Sequence, residues 1–432
     1  MTFSVPTGVK CACGKTHPRF DCTVLSGCGV VSRVPDELKK RGIGKVYLLS
    51  DVNTEKAAGC RVKSILDGAG VAYSAYVFPD ARLEPDEKAV GAAFMHFDHT
   101  CNGIVCVGSG VLNDIGKIVS RVSHLPYMIV GTAPSMDGYA SATSSMARDG
   151  LKISLDSRCP DIIVGDTDIL KEAPEKMLLA GLGDMLAKYI SIAAWRISRL
   201  INGEYYCEGI ADMVRTALKR CVDNAEGLKR RENAAVEAVF DGLILTGAAM
   251  NMAGVSRPAS AGEHYMSHVW DMRALSFGTP NDLHGIQCAV ATYETAKRYA
   301  ALKNIVPDRE KAIAHAKDFD FAAWSKVLRG FIGGGAEAMI ALEAKERKYD
   351  PEKIAARVDT IIAHYGDILS IAAEEIPSPE TLEKLYDTLG MPKMPHDIGL
   401  DDDILPLTFR ASKDIRDKYV LSRLYFDLGI DE

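Results

Sequence analysis

In the first part of the chain, short apolar runs alternate with longer stretches whose apolar residues recur at helical spacing. The apolar runs predict strands at Val46–Ser50, Val71–Phe78, Gly103–Val107, Tyr127–Val130 and Asp161–Val164. Helices are predicted between them, for example over Thr54–Gly68 and Glu84–His96. Strands that alternate with helices are typical of a parallel sheet with helices on both sides, so the pattern predicts an α/β domain over residues 1–166.

Beyond residue 166, long stretches at helical spacing replace the strand-like runs. Helices are predicted over Glu175–Arg199, Tyr206–Lys229, Arg231–Val255, Leu283–Leu302, Trp324–Arg329, Ala336–Arg347 and Pro351–His364. The second domain, residues 167–432, is therefore expected to be all-helical. After Gly390 the chain carries three consecutive aspartates and several prolines, so we expect this tail to pack loosely over the helical domain.

Composition narrows the possible partners. The net charge of −7 over 432 residues is modest and unlike the strongly basic character of nucleic-acid-binding proteins. The longest apolar stretch, Ala234–Val255, is interrupted by Glu237 and Asp241, which favours a buried helix over a membrane span. The N-terminus lacks the charged and apolar regions of a signal peptide. Eleven scattered cysteines fit reduced thiols in a cytoplasmic protein better than a disulfide framework.

A glycine-rich turn between a strand and a helix, GSGVLND (residues 108–114), is the first candidate nucleotide site. Gly108 and Gly110 would let the backbone approach a phosphate, and the helix N-terminus would offer N–H groups to it. Asn113 stands where the usual dinucleotide fingerprint has its third glycine. The segment is therefore also compatible with a simple tight turn.

Two further strand ends carry polar residues. Asp51 follows a predicted strand, where a carboxylate can bind the ribose hydroxyls of NAD and repel the 2′-phosphate of NADP. Alone, Asp51 could equally be a helix N-cap. The segment GTAPSMDGYAS (residues 131–141) follows another strand and is dense in small hydroxyl residues, although a polar loop has the same composition. Together the three strand ends would lie at one edge of a parallel sheet, where open α/β sheets bind ligands.

Three segments supply side chains of metal-ligand type. Asp184 and Lys188 are four residues apart at helical spacing, as are His264 and His268, and His284 lies at a predicted helix start. One aspartate with two histidines can hold a divalent cation and leave positions open for substrate. Each residue has an alternative role, because Asp184 could cap a helix and either histidine could be a hydrogen-bonded core residue.

The segment CACGKTH (residues 11–17) combines Cys11, Cys13 and His17, and Cys22 follows. These residues could hold zinc, but the first two cysteines are separated by one residue rather than by the two of a zinc knuckle. We therefore favour a cysteine-bearing hairpin.

Several stretches, taken in order, resemble sn-glycerol-1-phosphate dehydrogenases: GSGVLND, VGTAPSMDGYAS, AGLGDMLAKYISIAAWRIS, SRPASAGEHYMSHVWDM and LHGIQCAVAT. This family belongs to the superfamily of glycerol dehydrogenases, iron-containing alcohol dehydrogenases and dehydroquinate synthases. The resemblance covers the chain from about Val24 to Ala300. It implies a Rossmann-like α/β N-terminal domain followed by an all-α C-terminal domain, the dehydroquinate synthase-like fold. Both ends of the chain are similar to those of longer, bacterial members.

Carried over residue by residue, the resemblance implies that Asp184, His264 and His284 bind one divalent metal ion, which is zinc or nickel in the family. It implies substrate contacts from Asp137, Asp184 and His268. Contacts to NAD(H), or to NADP(H) in some members, are implied for Asp51, Gly108, Gly110, Val111, Leu112, Asn113, Asp114, Thr132, Ala133, Pro134, Ser135 and Ser141. Dehydroquinate synthases carry Glu at the first ligand position, so Asp184 argues against that chemistry.

The implied reaction reduces dihydroxyacetone phosphate with NAD(P)H to sn-glycerol 1-phosphate, with the cation held by Asp184 acting as a Lewis acid. His268 is the best candidate for the proton donor, although a role as a substrate hydrogen-bond donor is equally compatible. Lys188 and Arg257 lie near the metal motifs in sequence and could bind the phosphate; Lys188 could instead pair with Asp184, and Arg257 could cap a helix. The alternative is a glycerol or other polyol dehydrogenase with an unphosphorylated substrate. We expect a homodimer or higher homo-oligomer.

Overall fold

A six-stranded parallel sheet lies at the centre of the N-terminal part of the chain. The computed structural model describes residues 7–148 and 151–430; the first six residues, on which the expectation of no signal peptide partly rests, lie outside them. The strands of the described residues are β1 (Thr23–Gly27), β2 (Lys45–Asp51), β3 (Ala72–Phe78), β4 (Gly103–Gly108), β5 (Tyr127–Gly131), β6 (Thr143–Arg148), β7 (Leu151–Asp156) and β8 (Ile162–Asp166).

The sheet has the strand order β1-β8-β5-β4-β2-β3, and every neighbouring pair is parallel. The predicted strands are confirmed as β2, β3, β4, β5 and β8. Every residue of β4 is buried, which explains its continuous apolar sequence. The sequence did not predict β1, because it lies at the edge of the sheet and only Leu25 of its five residues is buried. The antiparallel pair of β6 and β7 was not predicted either.

Helices fill most of the chain after β8 and also connect the strands before it. The α-helices of the described residues are α1 (Val34–Lys40), α2 (Val52–Thr54), α3 (Cys60–Gly68), α4 (Glu87–Met95), α5 (Gly110–Ser123), α6 (Thr167–Leu170), α7 (Glu175–Leu186), α8 (Lys188–Asn202), α9 (Glu208–Asp223), α10 (Ala225–Lys229), α11 (Asn233–Ala253), α12 (Gly262–Phe277), α13 (His284–Ala301), α14 (Arg309–Asp318), α15 (Phe321–Ile332), α16 (Ala336–Glu346), α17 (Pro351–Ala363), α18 (Tyr365–Glu375), α19 (Pro379–Leu389), α20 (Leu405–Ser412) and α21 (Leu421–Asp427). An α/β part followed by a helical part confirms the predicted fold class.

The chain folds into two compact units. The first comprises residues 1–185 and 212–254, and the second comprises residues 186–211 and 255–432. This division differs from the predicted boundary at residue 166, since α11 returns to pack against the sheet of the first unit. The Phe240 ring of α11 lies so close to Gly165 of β8 that a Cβ atom on that glycine would be 2.1 Å from it.

Two helical stretches are long and apolar enough to cross a membrane by composition alone. They are Glu175–Asn202, with 89% of its most apolar window buried inside the protein, and Asn233–Ala253, with 78% buried. Such burial is typical of core helices of globular proteins, which agrees with the prediction of a buried helix over Ala234–Val255.

The C-terminal tail is part of the core of the second unit, so the prediction that it packs loosely is wrong. Most residues of α20 and all of α21 are buried. The Arg423 guanidinium is 2% exposed and pairs with Asp414 at 2.8 Å and Glu343 at 3.2 Å. The expectation rested on the prolines and acidic residues between Gly390 and Leu405, whereas the apolar residues that pack into the core follow them, from Leu405 to Leu428.

Candidate active site

Three polar strand ends of the first unit lie side by side. β2, β4 and β5 are neighbours in the sheet and run in the same direction, so the residues that follow them meet at its carboxyl edge. Gly108 at the end of β4 is paired with Gly131 at the end of β5, and the Thr132 backbone N–H donates to the Gly108 carbonyl at 3.1 Å. The structure therefore brings together the segments predicted to bind a nucleotide.

The turn after β4 has the geometry that its glycines and small residues suggested. A Cβ atom on Gly108 would lie 2.5 Å from the Leu112 side chain, so only glycine fits there. α5 begins at Gly110 and presents its first backbone N–H groups at this edge. Asn113 is fully buried, and its amide donates to the Gly138 carbonyl at 3.1 Å. The residue that replaces the third glycine thus connects this turn to the loop after β5.

Sequence reasoning missed Lys117, which stabilises that loop. The side chain is fully buried, and its ammonium donates to the carbonyls of Gly138 and Thr143 and to Ser141 Oγ. Burial lowers the pKa of Lys117, although Asp114 opposes this shift. Thr132, Ser135 and Ser141 are themselves buried. The one-turn spacing from Asn113 to Lys117 was the signal that could have revealed it.

Asp51 has the helix-capping role that was its alternative interpretation. Its Oδ1 atom accepts from the backbone N–H groups of Asn53 and Thr54, each at 2.8 Å, and Thr54 completes a capping box. The carboxylate is 9% exposed. Capping uses only one of the two carboxylate oxygens of Asp51. A contact between Asp51 and the ribose of the cofactor stays a prediction.

Asp184 is held in place by close packing between α7 and the loop after β5. Its side chain is fully buried, and its Oδ2 atom accepts from the Asp137 backbone N–H at 2.9 Å. One turn earlier on α7, a Cβ atom on Gly181 would lie 1.7 Å from the Pro134 carbonyl oxygen. Glycine at this position lets the helix approach the loop, so Asp137 and Asp184 meet within the first unit.

The three histidines predicted for the site lie together in the second unit. Ring nitrogens of His264 and His284 and the sulfur of Cys288 lie within 4.8 Å of one another. The His268 ring, one turn after His264 on α12, stacks on His284 with centroids 5.9 Å apart and planes at 17°. His264 is 5% exposed, whereas His268 and His284 are half-buried.

Neighbouring side chains fix how the two candidate ligand histidines are oriented. His264 Nδ1 lies 2.9 Å from Glu263 Oε1, which is fully buried and also accepts from the Ala261 backbone N–H. His284 Nδ1 lies 3.1 Å from Ser267 Oγ. A carboxylate only accepts, so Glu263 places the proton of neutral His264 on Nδ1 and leaves Nε2 as the ligating atom, whereas the Ser267 hydroxyl orients the His284 ring without selecting its tautomer.

Cys288, one turn after His284 on α13, is a member of this cluster that sequence reasoning missed. Its fully buried sulfur lies 3.5 Å from His284 Nε2. Burial raises the pKa of the thiol, but the neighbouring His264 and His284 more than offset this, so that the pKa is below its usual value. The spacing of four residues from His284 was visible in the sequence, as was the position of Glu263 beside His264.

The two predicted phosphate ligands are both buried inside the second unit. Lys188 is fully buried and donates to the Ala259 carbonyl at 3.1 Å. Arg257 is 1% exposed, and its guanidinium donates to both carboxylate oxygens of Glu204, to Ser198 Oγ and to the Tyr419 carbonyl. These contacts occupy the fork of Arg257, so its assignment as a phosphate ligand loses its support.

Comparison with known proteins agrees with this architecture. A profile of the family described as "Iron-containing alcohol dehydrogenase" matches residues 25–174. The structure of sulfoacetaldehyde reductase from Bifidobacterium kashiwanohense in complex with NAD+ is similar over 99% of this chain and 97% of that chain, with a TM-score of 0.60 and 15% sequence identity. The fold is therefore that of the iron-containing alcohol dehydrogenases.

Two relatives of similar sequence show to which enzyme family the chain belongs. Glycerol-1-phosphate dehydrogenase [NAD(P)+] from Halalkalibacterium halodurans is 31% identical over 287 residues, which are 66% of this chain and 72% of that protein. The enzyme of the same name from Bacillus velezensis is 33% identical over 65% of this chain and 73% of that protein. The chain belongs to the family of NAD(P)-dependent glycerol-1-phosphate dehydrogenases, which are oxidoreductases.

Proposed function

We propose that the protein reduces dihydroxyacetone phosphate to sn-glycerol 1-phosphate with NAD(P)H, reversibly, and that Asp184, His264 and His284 hold the divalent metal ion of the reaction. The observation that carries this proposal is that this chain has all three proposed ligands and that each of them has a hydrogen-bonding partner beside it. Asp184 is fixed by the Asp137 backbone N–H, and each histidine has a hydrogen-bonding partner at Nδ1.

The residues present fit a divalent cation. Imidazole nitrogen with carboxylate oxygen is a donor set that suits zinc, nickel and iron. In the described part of the chain, Glu263 Oε2 is buried and accepts no hydrogen bond, and a buried carboxylate needs positive charge nearby. A cation on the neighbouring His264 would supply that charge. Zinc or nickel is the identity we propose.

Each side chain of the site has a part in the proposed reaction. When bound, the ion supplies Lewis-acid stabilisation of the ketone oxygen and the dinucleotide supplies the hydride. The Asp137 backbone N–H orients the Asp184 carboxylate, while Glu263 holds His264 in one tautomer. His268 gives a ring proton to the oxygen of the reduced ketone, or takes it back in the reverse direction. Lys188 remains our proposed phosphate ligand, and Asp137 a substrate contact.

The substrate assignment is tested by comparing dihydroxyacetone phosphate with unphosphorylated dihydroxyacetone. A charge-assisted contact to the phosphate is worth about 1.5–3 kcal/mol, so we expect kcat/KM to be about ten- to a hundredfold higher for the phosphorylated ketone. The assay follows NADH and NADPH oxidation by metal-reconstituted enzyme, and the chirality of the product is determined. Equal kcat/KM for the two ketones would replace the proposal with a polyol dehydrogenase, and sn-glycerol 3-phosphate as product would contradict it.

The Asp51→Ser variant separates the capping role of Asp51 from the ribose contact that we propose. Serine is a good N-cap, so the helix start should be retained, while the charge that disfavours NADP is removed. We expect the preference for NADH over NADPH to decrease by about ten- to a hundredfold in kcat/KM. A wild-type enzyme that already prefers NADPH would show that Asp51 does not select the cofactor.

The Glu263→Ala variant tests whether Glu263 supports a metal-binding histidine. Loss of a supporting carboxylate weakens metal binding by about ten- to a hundredfold. We therefore expect a higher dissociation constant for zinc or nickel in equilibrium dialysis, with the fold checked by circular dichroism. Glu263→Gln is the matched control, because its amide oxygen still accepts from His264 Nδ1–H and should retain most of the affinity. Unchanged affinity in Glu263→Ala would contradict this role.

We also propose that the protein is a cytoplasmic homo-oligomer. None of the eleven cysteines, all within the described residues, is in a disulfide, which supports a reducing compartment. Size-exclusion chromatography with light scattering determines the number of subunits, and a monomeric mass would contradict the proposal.

A further inference from the structure

We propose that Cys11, Cys13 and His17 bind a structural zinc ion through a ligand set separate from Asp184, His264 and His284. The sulfurs of both cysteines and a ring nitrogen of His17 lie within 4.8 Å of one another. Thiolates with imidazole form the donor set of structural zinc sites. This site would be an addition to the proposed activity and does not depend on it.

The backbone of the N-terminal hairpin brings these donors together. Lys10 and Thr16 form an antiparallel bridge, and the Cys11 N–H donates to the Lys15 carbonyl at 2.8 Å. The turn between them closes with a hydrogen bond from the Gly14 N–H to the Cys11 carbonyl, and Gly14 has a φ of 88°, which glycine adopts without strain. The hairpin predicted from the sequence is therefore present, and it places all three side chains on one small cluster.

The hydrogen bonding of His17 leaves the correct nitrogen for a metal. The ring is 1% exposed, and Nδ1 lies 2.8 Å from the Met252 carbonyl oxygen at the end of α11. A carbonyl only accepts, so Nδ1 carries the proton and Nε2 carries the lone pair. Metal-binding histidines are typically held in this way, with one nitrogen on a backbone carbonyl and the other on the ion.

The distance between donors matches a tetrahedral zinc site. His17 Nε2 lies 3.4 Å from Cys13 Sγ. With Zn–S about 2.3 Å and Zn–N about 2.0–2.1 Å, tetrahedral geometry separates sulfur and nitrogen by roughly 3.5 Å. A single ion can therefore contact both atoms with little movement of either side chain.

The chemistry of the donors selects the metal and indicates its role. Two soft thiolates favour zinc over the harder divalent cations, whereas the nitrogen and oxygen donors proposed for the reaction suit several metals. Zinc binding releases the two thiol protons to solvent and forms two Zn–S bonds and one Zn–N bond. An isolated two-stranded hairpin is marginally stable, so the ion would hold this segment in its folded form. These residues provide three of the four donors that structural zinc takes.

The test measures zinc in the full-length protein by mass spectrometry after equilibration with Zn²⁺ and removal of unbound metal. We expect Cys13→Ser to hold one zinc per chain fewer than wild type. In the His264→Ala background the same substitution should again remove one zinc, which separates this site from the metal of the reaction. Cys60→Ser, which alters an exposed thiol of the same unit, is the control and should lose none.

A second measurement needs no substitution in the hairpin. Cobalt in place of zinc should give thiolate-to-cobalt charge-transfer absorption in the His264→Ala protein, in which the cluster that includes Cys288 has lost a donor. A mercurial that modifies the thiols should abolish this absorption. Equal zinc content in wild type and Cys13→Ser would overturn the proposal. Absence of charge-transfer absorption would overturn it as well, even if Cys13→Ser fails to fold.

Discussion

The His264→Ala protein is expected to lose the metal ion that we propose for the reaction and, with it, turnover. Metal content should fall by one ion per chain, and kcat/KM should fall by more than about a hundredfold, because loss of even a supporting residue costs about ten- to a hundredfold. The ring is 5% exposed and lies beside His284 and Cys288, so removing it leaves the remaining donors too few to hold the ion. Equilibrium dialysis with Ni²⁺ and Zn²⁺, followed by assay of the same samples, measures both effects.

An exposed histidine of the same unit provides the control. His364 pairs with Asp367 at 2.9 Å at the surface, and His364→Ala should retain metal and turnover. Chelation of the wild-type enzyme should reproduce the His264→Ala phenotype, and added zinc or nickel should reverse it only in the wild type. Full activity in a chelated, metal-free enzyme would disprove the metal-dependent reaction.

The Arg257→Ala protein is expected to lose stability rather than phosphate recognition. Removing one partner of a buried ion pair costs about 3–5 kcal/mol, because the other charge loses its neutralising contact. Because Glu204 is 30% exposed, we expect the free energy of unfolding to fall by about 3 kcal/mol, the lower end of this range. The ratio of kcat/KM for dihydroxyacetone phosphate to that for dihydroxyacetone should not change in the folded enzyme. Urea unfolding and steady-state kinetics measure the two quantities.

The same substitution at an exposed ion pair is the matched control. Arg309 and Asp359 pair at 2.6 Å with both side chains more than half exposed, so Arg309→Ala should change the unfolding midpoint little. Arg257→Lys should be intermediate, since it keeps the charge but loses the planar fork that contacts both oxygens of Glu204. If Arg257→Ala keeps its stability and loses only activity with the phosphorylated ketone, Arg257 binds phosphate after all.

Local patterns predicted much of the candidate site. A spacing of four residues places His264 and His268 on the same face of α12, and this follows from helix geometry alone, independently of tertiary contacts. The polar residues after β2, β4 and β5 were identified at strand ends from apolar runs alone. Glu263, Lys117 and Cys288 were equally close in sequence to these residues. They were missed because adjacency gives no indication of which way a buried side chain points.

Contacts between distant parts of the chain could not be predicted in this way. Arg257 meets Glu204 across 53 residues and the Tyr419 carbonyl across 162 residues. An arginine near a metal motif therefore suggested a phosphate ligand, whereas the structure shows its guanidinium paired with Glu204. The buried partners of Arg423 were unpredictable for the same reason, since no local pattern identifies the buried charge that neutralises another.

The sequence by itself determined the parallel sheet, the helical second part and the positions of the candidate ligands along the chain. These depend on hydrophobic periodicity and helix geometry, which act over a few residues. Only the tertiary structure decided that α11 returns to the first unit, that α21 is buried, and that the sulfurs of the N-terminal hairpin meet the His17 ring. The physical reason is that burial and hydrogen bonding between remote segments depend on how complete surfaces fit together, which local spacing does not encode.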